Sequence, residues 1–121
     1  MFKFKLLLIS FLLSTITILS QTKIPPDSAA KYIDQKITIT GTVDQVHKTD
    51  TGTYFLNMGG KYPDNTFTAV IFKSDSEKFG NIKNYEGKEV AITGKVTLYK
   101  GGPEIIIKDP DQIKIIQPSK N

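Results

Sequence analysis

The chain has 121 residues, 16 basic against 12 acidic side chains and a formal net charge of +4, enough for one ordinary domain with only a mild cationic bias. It contains no Cys, which excludes disulfides, a thiolate nucleophile and Cys-ligated zinc. All 16 basic residues are Lys. The planar guanidinium fork that reads guanine edges and grips phosphate in a bidentate way is therefore missing, which argues against a strongly sequence-specific DNA reader. Lysine-based, salt-sensitive contact with a polyanion stays open.

In chain order, Lys3 and Lys5 precede an apolar stretch from Leu6 to Leu19 and the small residue Ser20. That pattern predicts a secretory signal peptide over 1–20, followed by a single domain over 21–121. The apolar stretch is short for a membrane span, which needs roughly 20 residues. The expectation is an exported protein, periplasmic or secreted, with no stable span after signal cleavage; an uncleaved anchor is the alternative. Without Lys3 and Lys5, 14 lysines face 12 acidic residues.

Residues 21–26 read as an extended lead-in, and Asp27 or Ser28 is placed to cap a short helical segment carrying Ala29, Ala30, Tyr32 and Ile33. From Lys36 to Val46, Ile37, Ile39 and Val43 share one parity, while Thr38, Thr40, Thr42 and Asp44 share the other. Period two with β-branched residues predicts a half-buried strand, and Gly41 on its apolar parity predicts a bend. Asp50-Thr51-Gly52 signals a turn before a second strand, Thr53 to Met58, with Tyr54, Leu56 and Met58 on one side and Phe55 and Asn57 on the other. A Gly- and Pro-containing loop leads to a third strand, Phe67 to Phe72. Ser74 or Asp75 then caps a short helix that places Phe79, Ile82 and Tyr85 about one turn apart. Glu89 to Tyr99 alternates again, with Val90, Ile92, Val96 and Leu98 on the buried parity. A Gly-Gly-Pro turn leads into a fifth strand, Glu104 to Lys108.

One internal echo stands out. Tyr32 to Val43 reads Tyr-x-x-x-Lys-Ile-Thr-Ile-Thr-Gly-Thr-Val, and Tyr85 to Val96 reads Tyr-x-x-x-Glu-Val-Ala-Ile-Thr-Gly-Lys-Val. Two copies are too few for a repeat array. They imply instead that the first and fourth long strands perform the same task, each entering beneath a helical segment and bending at a Gly, as a small closing sheet requires.

These features predict an all-β, five-stranded Greek-key barrel with a short N-terminal helical segment and a short helix between strands 3 and 4. The runs Ile37 to Val43, Tyr54 to Gly59, Phe67 to Phe72, Val90 to Val96 and Pro103 to Ile107 resemble the OB-fold nucleic-acid-binding family. More narrowly they resemble small exported bacterial OB-fold domain proteins, some of which accompany nucleases. The resemblance implies a ligand face on strands two and three, flanked by the loops joining strands one to two and four to five.

A search for chemistry yields little. The one His, His47, sits in a polar segment without an evident orienting partner, and Asp109 and Asp111 flank Pro110 without the ligand spacing of a calcium loop. They are expected to shape a turn. No phosphate loop or nucleophile motif is present, so the expectation is a non-catalytic binding module with no cofactor and no metal. Outward parity selects Phe55, Val70 and Phe72 for base stacking, with Tyr62 and Tyr99 as further candidates. Lys48, Lys61, Lys73, Lys95 and Lys100 are candidates for a backbone track. The expected partner is single-stranded nucleic acid, bound weakly and without sequence preference. An envelope protein or small ligand on the same face is the alternative.

Overall fold

The computed structural model describes residues 22–118, so the expected signal segment lies outside the described residues. The long strand β2 (Lys36–Lys48) follows from the alternation: Ile37, Ile39 and Val43 are buried. Between Val43 and Gln45 the register slips by one residue. Because side chains alternate with period two, that bulge flips the parity. Val46 returns to the core, and Gln45 and His47 turn away from it.

The slip also marks a change of partner. Lys36 to Thr42 pairs antiparallel with β5 (Glu89–Tyr99), whereas Val43 to Lys48 pairs antiparallel with β3 (Tyr54–Met58). β3 pairs with β4 (Phe67–Ile71), β4 runs parallel to β6 (Gly102–Ile106), and β6 returns antiparallel to β5. The order β2-β3-β4-β6-β5 closes on itself through β2–β5. This is a closed five-stranded barrel of OB type, as expected. Two short strands extend it. β1 (Lys23–Ile24), within the segment read as a lead-in, runs parallel to β2, and β7 (Ile113–Ile115) pairs with β5.

The sequence echo is a local two-fold axis. Ile39 pairs with Ile92, its own counterpart in the echo. The flanking hydrogen bonds repeat in the same sense. Val43 N–H donates to Lys88 O (2.9 Å) and Gly87 N–H to Val43 O (2.8 Å). Their counterparts are Val96 N–H to Gln35 O (3.0 Å) and Asp34 N–H to Val96 O (2.8 Å). Tyr32 and Tyr85 both pack on the core from the preceding turns.

Gly41 and Gly94 hold equivalent places, yet the register break in β2 lies beyond Gly41 rather than at it. Close approach explains both glycines. An added Cβ at Gly41 would stand 2.9 Å from Pro26 Cγ, and one at Gly94 2.6 Å from Ile105 Cγ2.

The helical parts are shorter than the spacing predicts. A 3₁₀ segment, Pro26–Tyr32, buries Ala29 with no side-chain cap. Asp27 instead accepts from Thr66 Oγ1 at 2.7 Å, tying this segment to the β3–β4 loop. The helix expected to carry Phe79, Ile82 and Tyr85 is two pieces, α1 (Lys73–Ser76) and a 3₁₀ turn (Ile82–Tyr85), with Phe79 in the non-helical stretch 77–81 between them. Asn81 caps the second piece, its side chain accepting from Lys83 N–H, and Phe79 and Ile82 still reach the core. Leu98 shares the buried parity of β5 but is 56 % exposed, because the β5–β6 hairpin extends past the end of the barrel. Asp109 does shape a turn: it accepts from Asp111 N–H at 2.9 Å, while Gln112 Oε1 accepts from Asp109 N–H at 3.1 Å.

Two outcomes test this packing. Gly94→Ala forces Ile105 aside in a filled core and should lower stability by about 1–3 kcal/mol in denaturant melts. At the bulge, the Glu86 carboxylate accepts from Val46 N–H at 3.0 Å, and this bond, aided by Lys83, holds its pKa below the usual glutamate value. A carboxyl depressed in the folded state stabilises the fold above its unfolded pKa and loses that contribution as pH falls through the folded one. Acid melting of the wild type should therefore include a component that Glu86→Gln lacks.

Candidate ligand groove

On the outer face of the barrel, strand pairing lines up side chains in two rows. One row is His47, Phe55, Val70 and Ile106, each the register partner of the next. The other is Gln45, Asn57, Thr68, Glu104 and Thr97. The first offers aromatic and apolar surface, the second hydrogen-bonding groups.

A groove of about 870 Å³ lies over these rows. Gln45, His47, Phe55, Asn57, Thr68 and Glu104 form its floor, Tyr62 and Asn65 belong to the β3–β4 loop, and Tyr99 and Lys100 come from the β5–β6 hairpin. Its size falls within the ~300–1,000 Å³ typical of ligand clefts. Phe55 is half-buried and stacks beside His47, with ring centroids 6.5 Å apart and planes within 4°.

The polar row is internally bonded, and backbone groups fix its polarity. Tyr62 N–H donates to Gln45 Oε1 at 3.0 Å, and Asn57 Nδ2 donates to the same oxygen at 3.0 Å. Thr68 Oγ1 donates to Asn57 Oδ1 at 3.0 Å. Asn65 Nδ2 donates to Thr68 Oγ1 at 2.7 Å and to Phe67 O at 3.2 Å. The β3–β4 loop is thereby stapled to the sheet. Glu104 stands apart: among the described residues its carboxylate has no hydrogen bond or salt bridge, and burial raises its pKa above the ordinary value.

The residues selected from sequence, Val70 apart, divide into three groups. Phe55, Tyr62, Tyr99 and Lys100 meet around the groove, with Lys100 Nζ 5.4 Å from the Tyr99 ring centroid. Lys48 and Lys73 line a separate cleft of about 590 Å³ beside α1, where Lys48 Nζ lies 5.5 Å from the Tyr54 ring centroid. Phe72, Lys61 and Lys95 line neither. Phe72 is exposed at the end of β4, Lys61 helps depress the Glu86 carboxyl, and Lys95 Nζ lies 4.0 Å from Asp34 Oδ1.

Val70 needs correction. It is on the outer face as expected, but only 2 % exposed, because Phe55 and Ile106 flank it on the neighbouring strands. It supports the platform and does not present itself to a ligand. His47, in a polar segment of the sequence, is a strand residue of the aromatic row, and the groove floor also contains Gln45, Thr68 and Glu104, with Asn65 on the loop above it. Outward parity on the second, third and fifth expected strands was the available signal for Asn57, Thr68 and Glu104. The bulge hid Gln45 and His47. Among the described residues no group of three or more His, Asp or Glu side chains is placed to hold a metal ion, and no helix is long and apolar enough to cross a membrane.

No protein-family model matches the chain, and no curated protein matches it in sequence. Solved structures do. An aspartyl-tRNA synthetase from Entamoeba histolytica superposes with a TM-score of 0.57 at 15 % identity, over 84 % of this chain and 22 % of the synthetase. An asparaginyl-tRNA synthetase from Pyrococcus horikoshii gives 0.51 at 16 % identity, over 84 % of this chain and 24 % of its own. The chain thus spans only about a quarter or less of these enzymes. The OBody AM1L10, solved bound to hen egg-white lysozyme, gives 0.54 at 13 % identity, over 81 % of this chain and 95 % of that one. At such identities the likeness is one of fold.

The Glu104 carboxyl yields a test independent of any ligand. Its raised folded pKa means the contribution to stability is fully present below the unfolded pKa and is lost as pH rises through the folded one. Glu104→Gln should therefore melt higher than the wild type at neutral pH, with the gap closing in acid. An equal or lower melting temperature at neutral pH would contradict the burial assigned to this group.

Proposed function

We propose that the groove binds single-stranded nucleic acid, with one base stacked on Phe55 beside His47. The observation that carries this reading is an aromatic pair, half-buried Phe55 beside exposed His47, at the floor of a groove whose second row consists of hydrogen-bonding side chains. Stacking on an aromatic ring contributes ~1–3 kcal/mol per base and tolerates any base, because every base has a π-face. Tyr62 and Tyr99 supply further flat surface at the rims, and Lys100 supplies a cation there.

The unpaired Glu104 carboxylate repels phosphate, so bases rather than backbone occupy the floor. The phosphates run along the margin, where Lys100 stands on the β5–β6 hairpin. Similarity in fold to proteins named for tRNA supports the reading. Binding without catalysis is the role best suited to these residues, and an exported location rests on the N-terminal sequence pattern alone.

A second reading has its own support: the OBody of the same fold is bound to a protein, lysozyme. Ionic strength separates the two. Association with a labelled dodecamer should weaken steeply as salt rises, and Phe55→Ala should reduce affinity about 5- to 100-fold while Phe72→Ala, outside the groove, has a much smaller effect. Binding insensitive to salt and to Phe55→Ala would leave the protein-partner reading.

A further inference from the structure

The hydrogen-bonded row also fixes which end of the Gln45 amide is free. A backbone N–H can only donate, so the Gln45 atom 3.0 Å from Tyr62 N is the oxygen. That oxygen also accepts from Asn57 Nδ2. Both of its lone pairs are committed, and among the described residues Gln45 Nε2 has no partner. Asn57, the neighbouring amide, is buried at 3 % exposure, whereas Gln45 is half-buried and lines the groove. The floor thus presents a donor at the Gln45 end and an acceptor, Glu104, at the other. Gln45 is the diagonal neighbour of Phe55 across the β2–β3 pair, since its register partner is Asn57. Such neighbours are about 7–8 Å apart, within reach of a long side chain.

We infer that Gln45 is the specificity-determining residue of this groove, its Nε2 donating to the carbonyl oxygen at position 4 of a pyrimidine stacked on Phe55. The inference rests on the nucleic-acid reading above and deepens it: the preferred base is a 4-keto pyrimidine, thymine or uracil. Cytosine carries an amino group at the same ring position and would set donor against donor. The two rings are alike in size but differ also at N3, protonated in thymine and uracil and an acceptor in cytosine, so the change of preference on substituting Gln45 is what assigns the contact to this residue. Locked in orientation by Tyr62 and Asn57, the amide cannot flip to accommodate cytosine without abandoning two hydrogen bonds.

The test compares oligo(dT) and oligo(dC) dodecamers binding to the full chain at neutral pH and fixed salt, for wild type and Gln45→Glu. The substitution keeps an oxygen for Tyr62 N–H and Asn57 Nδ2 and exchanges the donor for a charged acceptor, and a melting curve that matches the wild type shows that the fold is retained. Wild type should prefer oligo(dT) by about tenfold, the scale of one hydrogen bond made or opposed. Gln45→Glu should abolish or invert that ratio, because a carboxylate oxygen accepts from the cytosine amino group. The added negative charge weakens both ligands alike, so the ratio is the readout. Equal wild-type affinities, or a ratio unchanged by Gln45→Glu, would overturn the assignment to Gln45 while leaving the groove a nucleic-acid site. No association of either oligonucleotide overturns the nucleic-acid reading itself and this inference with it.

Discussion

The antiparallel crossing of β2 and β5, centred on Ile39 opposite Ile92, is the contact on which the rest of the molecule depends. It is the step at which the sheet closes, and both residues are fully buried. Each strand spends its first half on this crossing and its second half elsewhere, β2 on β3 and β5 on β6. The same hydrogen bonds bind each strand's Val, Val43 or Val96, to the turn that precedes its partner. A barrel of so few strands has no other way to close its edges, and closure removes the exposed ladder that would otherwise pair with another chain.

From that symmetric crossing the two strands diverge in use. Beyond Val43, the bulge turns Gln45 and His47 outward; beyond Val96, β5 continues into the hairpin that carries Tyr99 and Lys100. The two strands thus reach different sides of one groove from a common origin. The glycines at the equivalent positions 41 and 94 answer a local demand, room for Pro26 and for Ile105, rather than a shared bend.

Alternation, turn residues and the Tyr-to-Val echo carried the barrel into view from the sequence, since period-two burial depends on residue type alone. The inward set on β3 and β4 was legible for the same reason, and with it the outward placement of Phe55. What escaped notice was whatever required knowing a neighbour. Val70 is covered because of which side chains stand beside it, and no parity argument sees that. Leu98 obeys the alternation yet runs past the end of the core. Gln45 and His47 depend on a one-residue slip that leaves no signature in composition. Lys48, Lys73, Lys95 and Lys100 look alike in sequence, but register sends them to three different parts of the surface.

The stapled β3–β4 loop carries a consequence of its own. Its Tyr62 N–H and Asn65 side chain are already held by Gln45 and Thr68 before anything enters the groove. A wall that stands in place beforehand spares an incoming ligand the entropic penalty of ordering a floppy segment. Affinity there is governed by the contacts themselves, and recognition should resemble insertion into a preformed slot more than closure of a lid.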